Sequence, residues 1–318
     1  MATTLEIIGG DGGFPFSFTG LDNGATLRKI GVAVGGKQIN AVRAELTDGR
    51  VETFGKDHSF REFTFEPGEI ITKLSLWEGR GGARLGGIKF WTSSGNKFEA
   101  HMSEWGLKTG EYSIDVGSGV CLGLEGRSGG EIDKMGFLFI NAIKSSVLTD
   151  MTYPSLAMYT PQVNKEYIKS HFYHNGTATD LEQKSTYSRS LTKSTTWSTT
   201  TKIETTFSMS VTARIPDVFE TSSGFGMTLG VEQTSSMTKE ETITKSEEVN
   251  VTVPARKTVS VEFSIGRAVI NLPFSATVKI TCLNGSELQF KSTGNYNAVA
   301  FTAVDVKTTE SDYLNDGE

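Results

Sequence analysis

The sequence predicts an all-β protein in two parts. Three observations carry this: apolar residues alternate with polar ones in both halves, glycine-laden turns separate the runs in the first half, and no segment there keeps a helical period beyond two turns. At 318 residues, with 37% hydrophobic residues, 35 glycines and 7 prolines, the chain is long enough to bury two cores. A net charge of -6 argues against nucleic acid as a partner, because phosphate binding needs a surplus of Lys and Arg on one face.

In the first part, Asn40 to Leu46 alternates and turns at Asp48-Gly49, a strong hairpin dipeptide. Ile70 to Trp77 and Ile88 to Thr92 follow, then Val120 to Leu124 and Met135 to Ile140, each pair flanking a glycine-rich loop. Composition shifts over Ser145–Pro154, which divides the chain into domains 1–145 and 150–318. In the second part Phe274, Ala276, Val278, Ile280 and Cys282 form one apolar face, and Val249, Val251 and Val253 another. Ser185 to Glu248 is rich in Ser, Thr, Lys and Glu; its two-residue period argues for strands over disorder. Cys121 and Cys282 sit in apolar runs in different predicted domains and read as buried free thiols.

Glycine-rich loops recur at Gly9–Gly13, Gly79–Gly87 and Gly126–Asp133. Each reads as a tight turn when taken alone. Glycine also lets a backbone approach a ligand closely, and convergent N–H groups beside a carboxylate such as Asp133 suit the vicinal hydroxyls of a sugar. Together, Gly9-Gly10-Asp11-Gly12-Gly13-Phe14, Gly126-Arg127-Ser128-Gly129, Gly130-Glu131-Ile132-Asp133 and Met135-Gly136-Phe137 resemble the jacalin-related lectins over about the first 140 residues. The resemblance implies a β-prism of three four-stranded sheets with a sugar site at one end. It implies backbone contacts from Gly12, Gly13, Gly130 and Glu131, a carboxylate from Asp133, and specificity from the Gly79–Leu85 loop through Arg84 and Leu85. The internal Gly-Gly loop is similar to that of the mannose-binding branch, so mannose-type glycans are the expected partner.

From Ile203 the odd positions include Phe207, Met209, Val211 and Ile215 against hydroxyl-rich even positions. After a presumed tip holding Val218 and Phe219, Phe225, Met227 and Leu229 resume the apolar face, giving an amphipathic hairpin over 203–231. A half-buried hairpin of a soluble sandwich alternates in the same way. A membrane-crossing barrel strand needs about 9–11 such residues, one face for lipid and one for water. Flanked by long Ser/Thr-rich strands and followed by Val249–Val253 with Pro254, this hairpin resembles those of aerolysin-like pore-forming proteins. The order of the two parts looks like that of the fish natterin-like proteins. The resemblance implies an elongated aerolysin-like β-sheet and β-sandwich module that forms a homo-oligomer on a cell membrane and inserts a shared barrel. A lectin whose tail only oligomerises it, without a pore, fits the same head residues.

No nucleophile motif marks an enzyme, and His171 and His174 lack neighbours at metal-ligand spacing. No catalytic residue, metal ligand or cofactor is therefore expected. The first ten residues do not read as a signal peptide, and no apolar run approaches the about 20 residues of a spanning helix. The expectation is a protein made soluble, cytoplasmic or exported by an unconventional route, that acts at membranes.

Overall fold

A computed structural model describes residues 1–56, 58–202, 205, 211–221, 224–235 and 238–313. The chain divides into two compact units. The first holds Met1–Thr152, Thr199–Ala213 and Ser275–Thr293; the second holds Tyr153–Ser198, Arg214–Phe274 and Gly294–Glu318.

Three antiparallel sheets build most of the first unit. In one, Ile39–Leu46 lies between Val51–Gly55 and Leu27–Val34, and Leu27–Val34 also pairs with Arg61–Thr64. In the next, Leu85–Thr92 lies between Lys97–His101 and Ile71–Glu78, with Thr109–Ile114 beyond. In the third, Cys121–Ser128 lies between Phe14–Thr19 and Ile132–Ile140, and the short Thr3–Thr4 and Ile8–Gly9 strands also pair with Ile132–Ile140. Alternate residues of all three face a single core, including Val32, Val42, Leu76, Phe90, Leu124 and Phe137. Three sheets around one core make the β-prism that the sequence predicts. Phe90 is its aromatic centre, stacked on Phe98 at 5.1 Å and on Phe65 at 5.5 Å, with Phe63 edge-on at 5.2 Å. At the Asp48-Gly49 turn, Gly49 takes a φ of +88°, and Asp48 accepts from the Arg50 backbone N–H at 3.1 Å.

The first unit also takes Ile143–Thr152, which runs antiparallel to the end of the long Lys257–Cys282 strand from Ile143↔Cys282 to Thr152↔Ser275. Both cysteines are buried free thiols, and burial pushes that of Cys121 up to about 12. They share one unit, contrary to the sequence expectation, because the 275–293 segment returns to it.

In the second unit the described part of the Ser/Thr-rich sequence forms strands. Leu181–Thr199 pairs with Thr238–Val253 from Leu181↔Val253 to Thr196↔Thr238 without a shift of register. Val163–His174 pairs with the Lys257–Cys282 strand from Val163↔Ala268 to His174↔Thr258. Apolar residues on the inward face of these strands, among them Leu191, Val253, Val261 and Ile265, close a second core where Tyr187 stacks on Phe263 at 5.4 Å. His171 and His174 each bond a hydroxyl, of Ser185 at 2.8 Å and of Thr258 at 2.9 Å.

Removing the aromatic centre of the prism tests its role. Phe90→Ala is expected to cost the first unit about 3–5 kcal/mol. The check is the urea midpoint followed by tryptophan fluorescence; a midpoint equal to wild type would refute the assignment.

Candidate functional site

The three glycine-rich loops meet at one end of the prism. The geometry follows from close backbone approach. Gly9 takes a φ of +127°, and a side chain there would reach 2.2 Å from the Asp133 carbonyl. The next residue, Gly10, donates its N–H to that carbonyl at 3.0 Å. The chain then passes over the Asp133 side chain. A Cβ on Gly12 would lie 2.2 Å from Asp133 Oδ1, and one on Gly13 would lie 2.3 Å from Oδ2. Only glycine at both positions lets main chain lie on the carboxylate.

Arg127 fastens this loop from the neighbouring strand. Its Nε donates to the Gly12 carbonyl at 2.9 Å and its Nη2 to the Gly13 carbonyl at 2.8 Å. Lys134 pairs with Asp11 at 2.6 Å, and this hydrogen bond and charge hold the Asp11 carboxyl below the usual carboxylate range. Sequence reasoning assigned Arg127 no task; a forked donor one strand from a Gly-Gly turn is the signal that could have found it.

Asp133 is 2% exposed. Arg84 Nη1 stands 3.0 Å from its Oδ1, yet donates its hydrogen bond to the Ala83 carbonyl at 2.8 Å. The charge is balanced, but Oδ1 has no hydrogen-bond donor among the described residues. Arg84 Nε also faces Glu131 at 3.7 Å. The guanidinium therefore spans both carboxylates while its side chain stays 37% exposed. Its loop carries Gly81 and Gly82 at φ of +72° and +71°. Gly130 accepts from the Lys56 N–H at 3.1 Å, and a Cβ there would meet open space. Gly12, Gly13, Arg84, Glu131 and Asp133 thus lie together at this end of the prism. Leu85 does not: its side chain is fully buried in the prism core, because the strand that begins there turns it inward.

The hairpin differs from its prediction at the tip. Phe207 and Met209 lie outside the described residues. The first arm is a strand over Val211–Thr221 and the second over Gly224–Ser235. Val218 and Phe219 therefore belong to the first arm and not to a tip; their β-forming side chains continue the strand past Pro216. Val211 is buried, Ile215, Val218, Phe225, Met227 and Leu229 are half-buried, and Phe219 is exposed, its ring filling the space where a Gly226 side chain would stand.

Within the second unit, side-chain atoms tether the first arm. The Tyr153 hydroxyl donates to the Arg214 carbonyl at 3.0 Å, and the Tyr296 hydroxyl to the Pro216 carbonyl at 3.3 Å. Glu220 accepts from the Ala303 N–H and pairs with Lys245 at 3.3 Å. A cavity of about 600 Å³ opens under the arms, lined by Ile215, Val218, Phe225 and Leu229 with Tyr296 and Phe301 opposite. Burial raises the pKa of both phenols, so they stay neutral donors at ordinary pH.

Residues 5–138 match the family model of the jacalin-like lectin domain. Over 98% of its length the chain is similar to 99% of the lamprey immune protein, known from a crystal structure, at 49% identity and a TM-score of 0.81. AcmJRL, a mannose-binding jacalin-related lectin from Ananas comosus, is 21% identical over 44% of this chain and 99% of its own, at a TM-score of 0.37. Parasporin-2, a Bacillus thuringiensis toxin that recognizes cancer cells, is 17% identical over 52% of this chain and 74% of its own, at a TM-score of 0.29. Among curated proteins no match was found. A jacalin-like lectin domain followed by a large β module defines a lectin-type protein. The chain belongs to the natterin-like, aerolysin-type family and shares it with the lamprey immune protein.

The phenol tethers give a pH dependence. A folded-state pKa raised above that of a free phenol contributes stability that is complete below about pH 10 and is lost as pH rises beyond it. Tyr153→Phe with Tyr296→Phe is expected to flatten that alkaline loss, read by circular dichroism against tyrosinate absorbance. An alkaline profile identical to wild type would remove the phenols from the account.

Proposed function

We propose that the protein binds mannose-type glycans at Asp133 and then assembles on the membrane that bears them, inserting the hairpin as part of a shared β-barrel. One observation carries the first step. Asp133 Oδ1 is buried, charge-balanced and without a donor, and a buried acceptor left unpaired costs about 1–3 kcal/mol. A sugar hydroxyl supplies that donor. Arg84 gives way as it enters, since the guanidinium is partly exposed and its loop turns on two glycines. No enzyme chemistry is needed for either step.

The second step is supported by the hairpin's two faces and by how it is held. In lipid every backbone group must be paired, so one hairpin with two open edges cannot cross alone. Several copies must contribute one hairpin each and close the ring. Before that, the apolar residues of the arms lie over the cavity beneath them, tied by two phenols and one carboxylate. The first arm also has a short parallel pairing, Ser146↔Val211 and Val147↔Thr212, and beyond it the side-chain tethers can break one at a time.

Asp133→Asn is expected to lower binding to high-mannose glycan at least tenfold, and Gly12→Ala to do the same by lifting the loop off the carboxylate. Isothermal titration reads both, and unchanged affinity in either variant would refute the site. Vesicles carrying high-mannose glycan are expected to leak their contents, and free mannose to suppress the leak.

Insertion is read separately. A Cys introduced at Met227 and labelled with a polarity-sensitive dye is expected to enter lipid, and one at Thr228 to stay in water. The native thiols are buried and remain silent. If both labels stay in water on glycan-bearing vesicles, the tail only oligomerises a lectin.

A further inference from the structure

The Phe14–Thr19 strand sends Phe14, Phe16 and Phe18 to one face. Phe18 is buried in the prism core, and Phe16 is half-buried and stacked on Phe54 at 3.8 Å. Phe14 continues the stripe past the end of the core and is 80% exposed. It follows Gly13 directly, so its Cα stands one residue, about 3.8 Å, from the backbone that covers the Asp133 carboxylate. Across the sheet it pairs with Ser128, at the root of the loop that carries Asp133. An aromatic ring thus stands uncovered beside a buried carboxylate oxygen that lacks a donor among the described residues.

We infer that Phe14 is the platform of a second subsite, on which the apolar face of a neighbouring pyranose of an oligosaccharide rests while the first sugar bonds Asp133. The inference rests on the reading of Asp133 as the sugar acceptor. Sugar rings carry C–H groups on one face, and these pack on aromatic rings with the gain of any buried apolar contact. Charge at the rim selects this occupant over lipid. Asp11, Glu131, Lys134, Arg84 and Arg127 surround the loop with both signs, and pressing such a rim into hydrocarbon is costly. A glycan meets charged and apolar groups together. The site would therefore prefer a branched or extended glycan to a single sugar.

The test compares methyl α-mannoside with the branched trimannoside on wild type, Phe14→Ala, Phe14→Trp and Asp133→Asn, by NMR titration. Phe14→Ala should leave methyl α-mannoside binding within twofold and weaken the trimannoside about fivefold to tenfold, with Phe14→Trp restoring it. Equal loss for both sugars, or no loss for either, overturns the subsite. So does a fall in partition of Phe14→Ala onto glycan-free phosphatidylcholine vesicles, which would make the ring a lipid contact. If wild type binds neither sugar, or Asp133→Asn binds both as well as wild type, the Asp133 reading itself fails and the subsite falls with it.

Discussion

The contact between main chain and carboxylate at Gly12, Gly13 and Asp133 organises one end of the first unit. It exists because two consecutive residues lack a Cβ, so a peptide segment lies where any side chain would collide with Oδ1 or Oδ2. Everything nearby serves that approach. Gly9 and Gly10 bring the loop down onto the Asp133 backbone, and Arg127 pins the two glycine carbonyls from the adjoining strand. Arg84 balances the buried charge while spending its hydrogen bond elsewhere. A buried carboxylate with an opposite charge and no donor is poised to accept one, and that makes the region a site and not merely a set of turns.

In the second unit a different constraint operates. An apolar hairpin must stay covered without being locked in place. Ladder hydrogen bonds run the length of the Leu181–Thr199 and Thr238–Val253 pair, a cooperative connection with no shift of register. The first arm of the hairpin has a short parallel pairing, Ser146↔Val211 and Val147↔Thr212, and leans further on the hydroxyls of Tyr153 and Tyr296 and on the carboxylate of Glu220. Such bonds contribute about 1 kcal/mol apiece, and each can break alone. Both classes of interaction stabilise the fold, but only the second lets an arm leave while the remaining ladder persists.

Alternation was legible wherever one face is buried. Val42, Ala44 and Leu46, and Phe274 through Cys282, were read onto the correct face because the pleat repeats every two residues. Glycine loops were legible for a related reason, since close approach leaves no choice of residue at Gly12 and Gly13. Leu85 was misread because a loop residue and the first residue of a strand look alike in sequence, and only the pleat turns its side chain into the core. Val218 and Phe219 were expected at a tip, but Pro216, whose carbonyl accepts from the Tyr296 hydroxyl, sits within the strand and carries them along the first arm. Arg127 and Phe14 stand in the recognised motif but carry no task in the sequence reading, because their partners or surroundings are set across strands.

The amino-acid order by itself determined the β class, the glycine loops with their carboxylate, and the two-faced hairpin, since these follow from local sterics and a two-residue period. Tertiary structure alone decided that both cysteines share one unit, that Arg84 covers Asp133, and that two phenols and a carboxylate hold the hairpin. Those contacts join residues up to 83 positions apart, as with Glu220 and Ala303. No local propensity encodes which distant strand will lie beside another; the shared burial of their apolar faces settles it.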